Sequence, residues 1–198
     1  LTTFDAGPAL DQSFFQHKAP TVARGLIGAM LLIDGVGGRI VETEAYDISD
    51  PASHSFGGQK RRNAVMFGPP GHGYIYRIYG LHWCLNAVAG EAGSAVLIRA
   101  LEPLEGIGQM VVRRGISDAR LLCSGPGRLC QALGIDGSLN GAPLSDAPFQ
   151  LFAPGGESPI TVGRRIGISV GVDTPWRFGL SNSPFLSRPF AAEVFAAG

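Results

Sequence analysis

Two acidic residues stand two apart in the run Ile40-Val41-Glu42-Thr43-Glu44-Ala45-Tyr46. Read as a strand, this run has a period of two that puts Ile40, Glu42, Glu44 and Tyr46 on one face and Val41, Thr43 and Ala45 on the other. A carboxylate then stands beside a phenol. The pair can work as a general base next to an aromatic platform, or it can be a solvated strand face. Arg99 raises the matching question inside Ala95-Val96-Leu97-Ile98-Arg99-Ala100-Leu101. An arginine in an apolar strand keeps its charge and needs a carboxylate, a phosphate or a route to water. Glu42 or Glu44 can supply the first, as a structural ion pair or as part of a site.

All four tyrosines, Tyr46, Tyr74, Tyr76 and Tyr79, fall within two strand-turn units. Tyr74 and Tyr76 share a strand face, and Tyr79 sits at a turn beside Gly80, where its ring has little of its own chain to pack against. Phenols suit surfaces that are apolar on one side and wet on the other, including faces on which bases stack. A ring pair that merely stabilises a hairpin is the plain alternative. His17, His54, His72 and His82 lack ligand spacing, and Cys84, Cys123 and Cys130 are odd in number without a C-x-x-C. Neither a zinc site nor a disulfide framework is indicated. Gly35-Val36-Gly37 and Gly125-Pro126-Gly127 lack the spacings of nucleotide-phosphate loops.

Positioning these groups needs a folded chain with many turns. The 198 residues hold 29 glycines and 14 prolines, with 45% apolar and only 16% charged residues, which fits one domain over residues 1–198 and excludes a disordered chain. A helix is expected from Pro20 to residue 26, and strands over 29–33 and 39–46 around a turn built from Asp34-Gly35 and Gly37-Gly38. Strands over 74–78 and 82–88 form a hairpin, and 95–101 is a further strand. Helices are expected from Pro103 to residue 114 and from Pro126 to a cap at Gly134. Short strands over 149–152, 165–170 and 176–180 complete an α+β fold, a curved antiparallel sheet with hairpins and surrounding helices.

The longest apolar run, near residues 26–33, is interrupted by Gly28 and falls short of the ~20 residues of a membrane span. No basic-then-apolar leader is visible, so a soluble protein of a reducing compartment is expected. The 16 basic and 16 acidic residues cancel, yet residues 61–128 hold eight basic residues, all arginine, against four acidic ones. Arginine suits phosphate forks and stacking, so a local anionic partner fits that block.

The strings Gly38-Arg-Ile-Val-Glu-Thr-Glu-Ala-Tyr46, Ala52-Ser-His-Ser55, Arg62-Asn63 with Met66-Phe-Gly68, and Tyr74-Ile-Tyr-Arg-Ile-Tyr-Gly80 stand in a telling order. Cys84-Leu-Asn86, Val96-Leu-Ile-Arg-Ala-Leu-Glu-Pro103 and Cys123-Ser-Gly-Pro126 continue it. Over about residues 20–135 the chain resembles the alkyladenine (3-methyladenine) DNA glycosylase family, with a weaker likeness at residues 165–167. The resemblance implies an enzyme that flips an alkylated purine, with deaminated purines as a further class, out of duplex DNA and cuts its N-glycosidic bond. It implies that Glu44 activates water and that Arg99 helps hold that water and the nucleotide. It implies that Tyr46, His54 and Tyr76 line the base pocket, that Asn86 opposes the amino group of normal guanine, and that Tyr79 fills the vacated stack. Arg62 stands where the family's polar loop reaches the DNA, and Arg128 stands where a lysine often follows the Ser-Gly-Pro string.

That reading needs no cofactor or metal, and it suits a monomer on damaged double-stranded DNA, without a membrane. The expected location is cytoplasmic, on the nucleoid in a bacterium, or nuclear in a eukaryote. The only lysines, Lys18 and Lys60, lie outside the family's catalytic strings, so no Schiff-base lyase step is expected. Two rivals remain at this level. One is a non-catalytic nucleic-acid-binding module. The other is a small-molecule glycosidase using Glu42 and Glu44, although such carboxylate pairs flank a bond from separate elements roughly 5–9.5 Å apart.

Overall fold

A computed structural model describes residues 7–191, so the outermost residues of the expected 1–198 domain lie outside it. Helix α1 (Ala19–Gly25) carries a proline in its first turn, where the missing N–H would have no helical partner. It buries Ala19, Val22 and Ala23. Strands β1 (Met30–Ile33) and β2 (Val36–Tyr46) are joined by Asp34 at φ 49° and Gly35 at φ 76°, the two positive values of a type I′ hairpin turn. Gly37 and Gly38, expected in the turn, are strand residues. A Cβ on Gly37 would lie 2.0 Å from the Leu31 carbonyl oxygen, and one on Gly38 would lie 1.9 Å from that of Glu102.

Strands β3 (Gly73–Ile78) and β4 (His82–Val88) form the expected hairpin, followed by β5 (Ala95–Glu105). Helices α2 (Ile107–Arg114), α3 (Ala119–Leu122) and α4 (Pro126–Leu133) come next, and Gly134 at φ 75° caps α4. Strands β6 (Phe149–Phe152), β7 (Ile160–Gly163) and β8 (Arg177–Leu180) close the order. The sheet runs β3-β4-β5-β2-β1-β6, with β8 joining β2 and β7, and every pairing is antiparallel. This is an α+β fold, a curved antiparallel sheet flanked by helices. Leu26 of the α1 end, Ile40, Leu85 and Leu101 of the sheet, and Met110 and Leu129 of the helices share one buried cluster. Truncating such a leucine to alanine costs about 2–5 kcal/mol.

Two further expectations change. β5 runs through Pro103 to Glu105, and α2 begins only after Gly106 at φ 66°. Pro103 faces Gly38 at a register shift, where the ladder does without its missing N–H. The expected strand 165–170 is a turn, and the strand lies earlier, at β7. Positive φ at Gly167 and Gly171 (77° and 62°) breaks the extension, and Arg165 is drawn into a buried pair with Asp50. Among the described residues, no helix is long and apolar enough to cross a membrane.

Candidate active site

β2 is the strand on which the site is built. Its first half pairs with β1, its second half with β8, and its other edge with β5. The β2–β5 register passes from Ile40↔Leu101 to Glu42↔Ala100 and then to Thr43↔Ile98, which leaves Val41 and Arg99 as extra residues in two bulges. Bulges re-aim side chains. Here Arg99 is turned onto the face carrying both glutamates, donating from Nε to Glu42 at 3.0 Å and from Nη1 to Glu44 at 3.1 Å. Both sequence candidates for its partner are therefore used.

Glu44 is fully buried. Its Oε2 also accepts the Tyr46 hydroxyl at 2.8 Å, and its Oε1 accepts the Ile166 backbone N–H at 2.7 Å. Three of the roughly four acceptor positions of a carboxylate are thus filled. Burial, then Glu44, pushes the Tyr46 phenol above the ordinary tyrosine range, so it remains a donor. Burial opposes the charge of Arg99, but Glu44 and Glu42 outweigh it and raise its pKa.

The three donors to Glu44, on Tyr46, Arg99 and Ile166, all line a cavity of about 370 Å³, a size typical of small-ligand sites (roughly 300–1,000 Å³). Glu44 itself lies just behind that wall. Across the cavity Tyr74 and Tyr76 stack with centroids 5.5 Å apart, and the His54 ring meets Tyr76 edge-on at 4.5 Å. His54 Nδ1 and the Tyr74 hydroxyl lie 3.0 Å apart. Partial burial, then the Arg62 guanidinium, holds the His54 pKa below the usual histidine value. Burial pushes the Tyr74 phenol up to about 12. Burial likewise raises Tyr76 and Cys84, which share the same wall. Asn86 also lines the cavity and donates from Nδ2 to the Tyr74 carbonyl at 3.0 Å.

Tyr79 stands at the β3–β4 tip, 88% exposed and at φ 52°, on the cavity rim. Leu81 beside it is 71% exposed. Arg62 lies exposed on a short 3-10 helix (Arg61–Phe67). Arg128 is exposed on α4, its Nη1 donating to Ser124 Oγ at 3.0 Å, and Pro126 of the same helix reaches the cavity wall. Of the site residues expected from sequence, Tyr46, His54, Tyr76, Tyr79, Asn86 and Arg99 share this one cavity, with Glu44 behind it. Arg62 and Arg128 are outside it. Among the described residues no group of three or more His, Cys, Asp or Glu could hold a metal ion.

Sequence reasoning gave the segment after β7 only a weak family likeness at residues 165–167 and no place in the site. Arg165 is held by Asp50 on Nη2 at 3.0 Å and donates from Nη1 to the Ala45 carbonyl at 3.0 Å, while its guanidinium lies 4.7 Å from the Tyr46 ring centroid. This clamp fixes the Ile166 N–H at Glu44 and backs the Tyr46 ring. The visible signals were an arginine beside a Gly167 turn and a second buried arginine, Arg177, in an apolar strand.

The structure thus sets a buried carboxylate behind an aromatic cavity with a protruding ring at its rim. A family profile described as methylpurine-DNA glycosylase matches residues 13–184. A protein of Nitrosospira multiformis, provisionally named a 3-methyladenine DNA glycosylase, is 62% identical over 185 residues, covering 92% of this chain and 94% of its own. Counterparts with the same provisional name in Agrobacterium fabrum and Rhizobium meliloti are 58% and 57% identical, covering 92% and 91% of this chain and 94% and 97% of their own. The chain belongs to the methylpurine-DNA glycosylase family.

Proposed function

We propose that this enzyme flips alkylated purines, and as a further class deaminated purines, out of duplex DNA and hydrolyses the N-glycosidic bond with a water activated by Glu44. The observation that carries this reading is the Glu44 carboxylate, gripped by three donors that all line the aromatic cavity. One acceptor position is left to take a proton from water, with Arg99 steering that water. Flipping costs a few kcal/mol. Stacking against Tyr46, Tyr76 and His54 returns about 1–3 kcal/mol per ring, so the extruded state is held. A purine alkylated at N3 or N7 is cationic, gains a further ~0.5–2 kcal/mol from electron-rich faces, and leaves readily. One base and little acid help therefore suffice.

Tyr79 wedges into the space the base vacates. Asn86, its amide pinned to the Tyr74 carbonyl, opposes the amino group of undamaged guanine. Arg62 and Arg128 contact phosphates. Of the two lysines, neither lines the cavity, so the enzyme is monofunctional and leaves an intact abasic strand. It acts alone, as a monomer, wherever the cell keeps its DNA.

Incubation with duplexes carrying 7-methylguanine or hypoxanthine, followed by detection of free base, tests the reading. Glu44→Gln keeps lesion binding and loses excision by at least about a hundredfold. Wild-type excision by that variant overturns the assignment, and borohydride trapping of a covalent adduct overturns monofunctionality.

A further inference from the structure

The mechanism above leaves Glu42 unused, although it is the more heavily bonded of the two carboxylates. Fully buried, it accepts Arg99 Nε at 3.0 Å, Arg177 Nε at 2.8 Å, the Ser187 backbone N–H at 2.6 Å and the Ser187 hydroxyl at 2.8 Å. That hydroxyl accepts in turn from Arg99 Nη2 at 3.3 Å. All three nitrogens of the Arg99 fork are therefore engaged, by Glu42, Glu44 and Ser187. A counter-charge for Arg177 alone would not need to reach Arg99.

Ser187 is delivered by the segment that follows β8, and that segment is keyed to the sheet. The Phe190 ring occupies the space where a Cβ on Gly163 or Gly179 would lie, 2.7 and 2.4 Å away. The Arg177 guanidinium sits 3.9 Å from its centroid and also donates to the Arg188 carbonyl.

We propose that Glu42 and Ser187 are positioning residues for base excision: together they fix the Arg99 guanidinium so that Nη1 is aimed at Glu44, and Glu42 shares its charge. The inference rests on the reading of Glu44 as the water-activating base. Around Glu44 stand Arg99 on β5 and Tyr46 on β2, which bond it directly, Arg177 opposite it on β8, Glu42 two residues back on β2, and Tyr76 on β3. Among these Glu42 is the only other carboxylate. Removing Glu42 takes away the acceptor that holds Arg99 Nε, so Nη1 is no longer held in its aim at Glu44.

The experiment measures single-turnover excision of 7-methylguanine from duplex DNA, with lesion binding measured in parallel. Glu42→Gln lowers the single-turnover rate by about tenfold or more with lesion binding unchanged, a split between rate and binding that a merely structural role would not give. Ser187→Ala keeps both charges, so its rate falls only several-fold, again with lesion binding unchanged. Loss of excision in Glu44→Gln, together with a wild-type rate in Glu42→Gln and Ser187→Ala, overturns the inference and leaves the Glu44 reading standing. Full excision in Glu44→Gln overturns the reading on which it rests. Should Glu42→Gln fail to fold, Ser187→Ala decides, because a wild-type rate there is fatal.

Discussion

The Ile166 backbone N–H donates to Glu44 Oε1 at 2.7 Å across a sequence separation of 122 residues. Its placement depends on the neighbouring Arg165, whose buried guanidinium is tied to Asp50 and to the Ala45 and Gly171 carbonyls. Arg165→Met leaves Asp50 buried without its partner, a loss of about 3–5 kcal/mol. Thermal or urea unfolding measures it, and a variant as stable as the parent contradicts the clamp.

Tyr79 touches little of its own protein, so Tyr79→Ala leaves the melting temperature essentially unchanged. Its excision rate falls on duplex substrate and much less on the same lesion in a single strand, where no stack has to be held open. Equal losses on the two substrates would remove the wedge role.

His54 has a pKa held below the ordinary histidine value by partial burial and then by Arg62. The folded state therefore favours the neutral ring. Any stability this contributes is present above the unfolded value of about 6.5 and is lost as pH falls through the lower folded value. Titration of the imidazole by NMR gives a midpoint below that of free histidine, and Arg62→Ala moves it upward. An unmoved midpoint in the variant shows that Arg62 does not act on the ring.

Arg62 is exposed and free to meet a phosphate. Arg62→Ala then lowers affinity for undamaged duplex uniformly across sequences, and reduces the slope of log K against log salt by about 0.9. Gel-shift titrations from low to moderate salt measure the slope. An unchanged slope takes Arg62 off the DNA face.

Much of the site was legible because its residues sit on short-range patterns. Glu42, Glu44 and Tyr46 share a face by strand period alone, and Tyr74 and Tyr76 do the same one hairpin later. The apolar strand around Arg99 announced a buried charge, and two carboxylates stood ready to meet it. What could not be read was long-range. Arg165 meets Asp50 at a separation of 115 residues and Ser187 meets Glu42 at 145, distances over which no periodicity carries information. Gly37 and Gly38 misled for a related reason. Local turn chemistry favoured a loop, whereas the backbones of β1 and β5 pressing from both sides require strand residues without side chains.

The strap that carries Ser187 sets a timetable. Arg99 and its hydroxyl partner are 88 residues apart, and at roughly 5–20 residues per second of synthesis about 4 to 18 s separate their emergence from the ribosome. Through that interval β2 and β5 can already pair, while Arg99 swings without its outer latch. The Arg99 fork is thus completed only after the two strands that carry it and its carboxylate partners have been made.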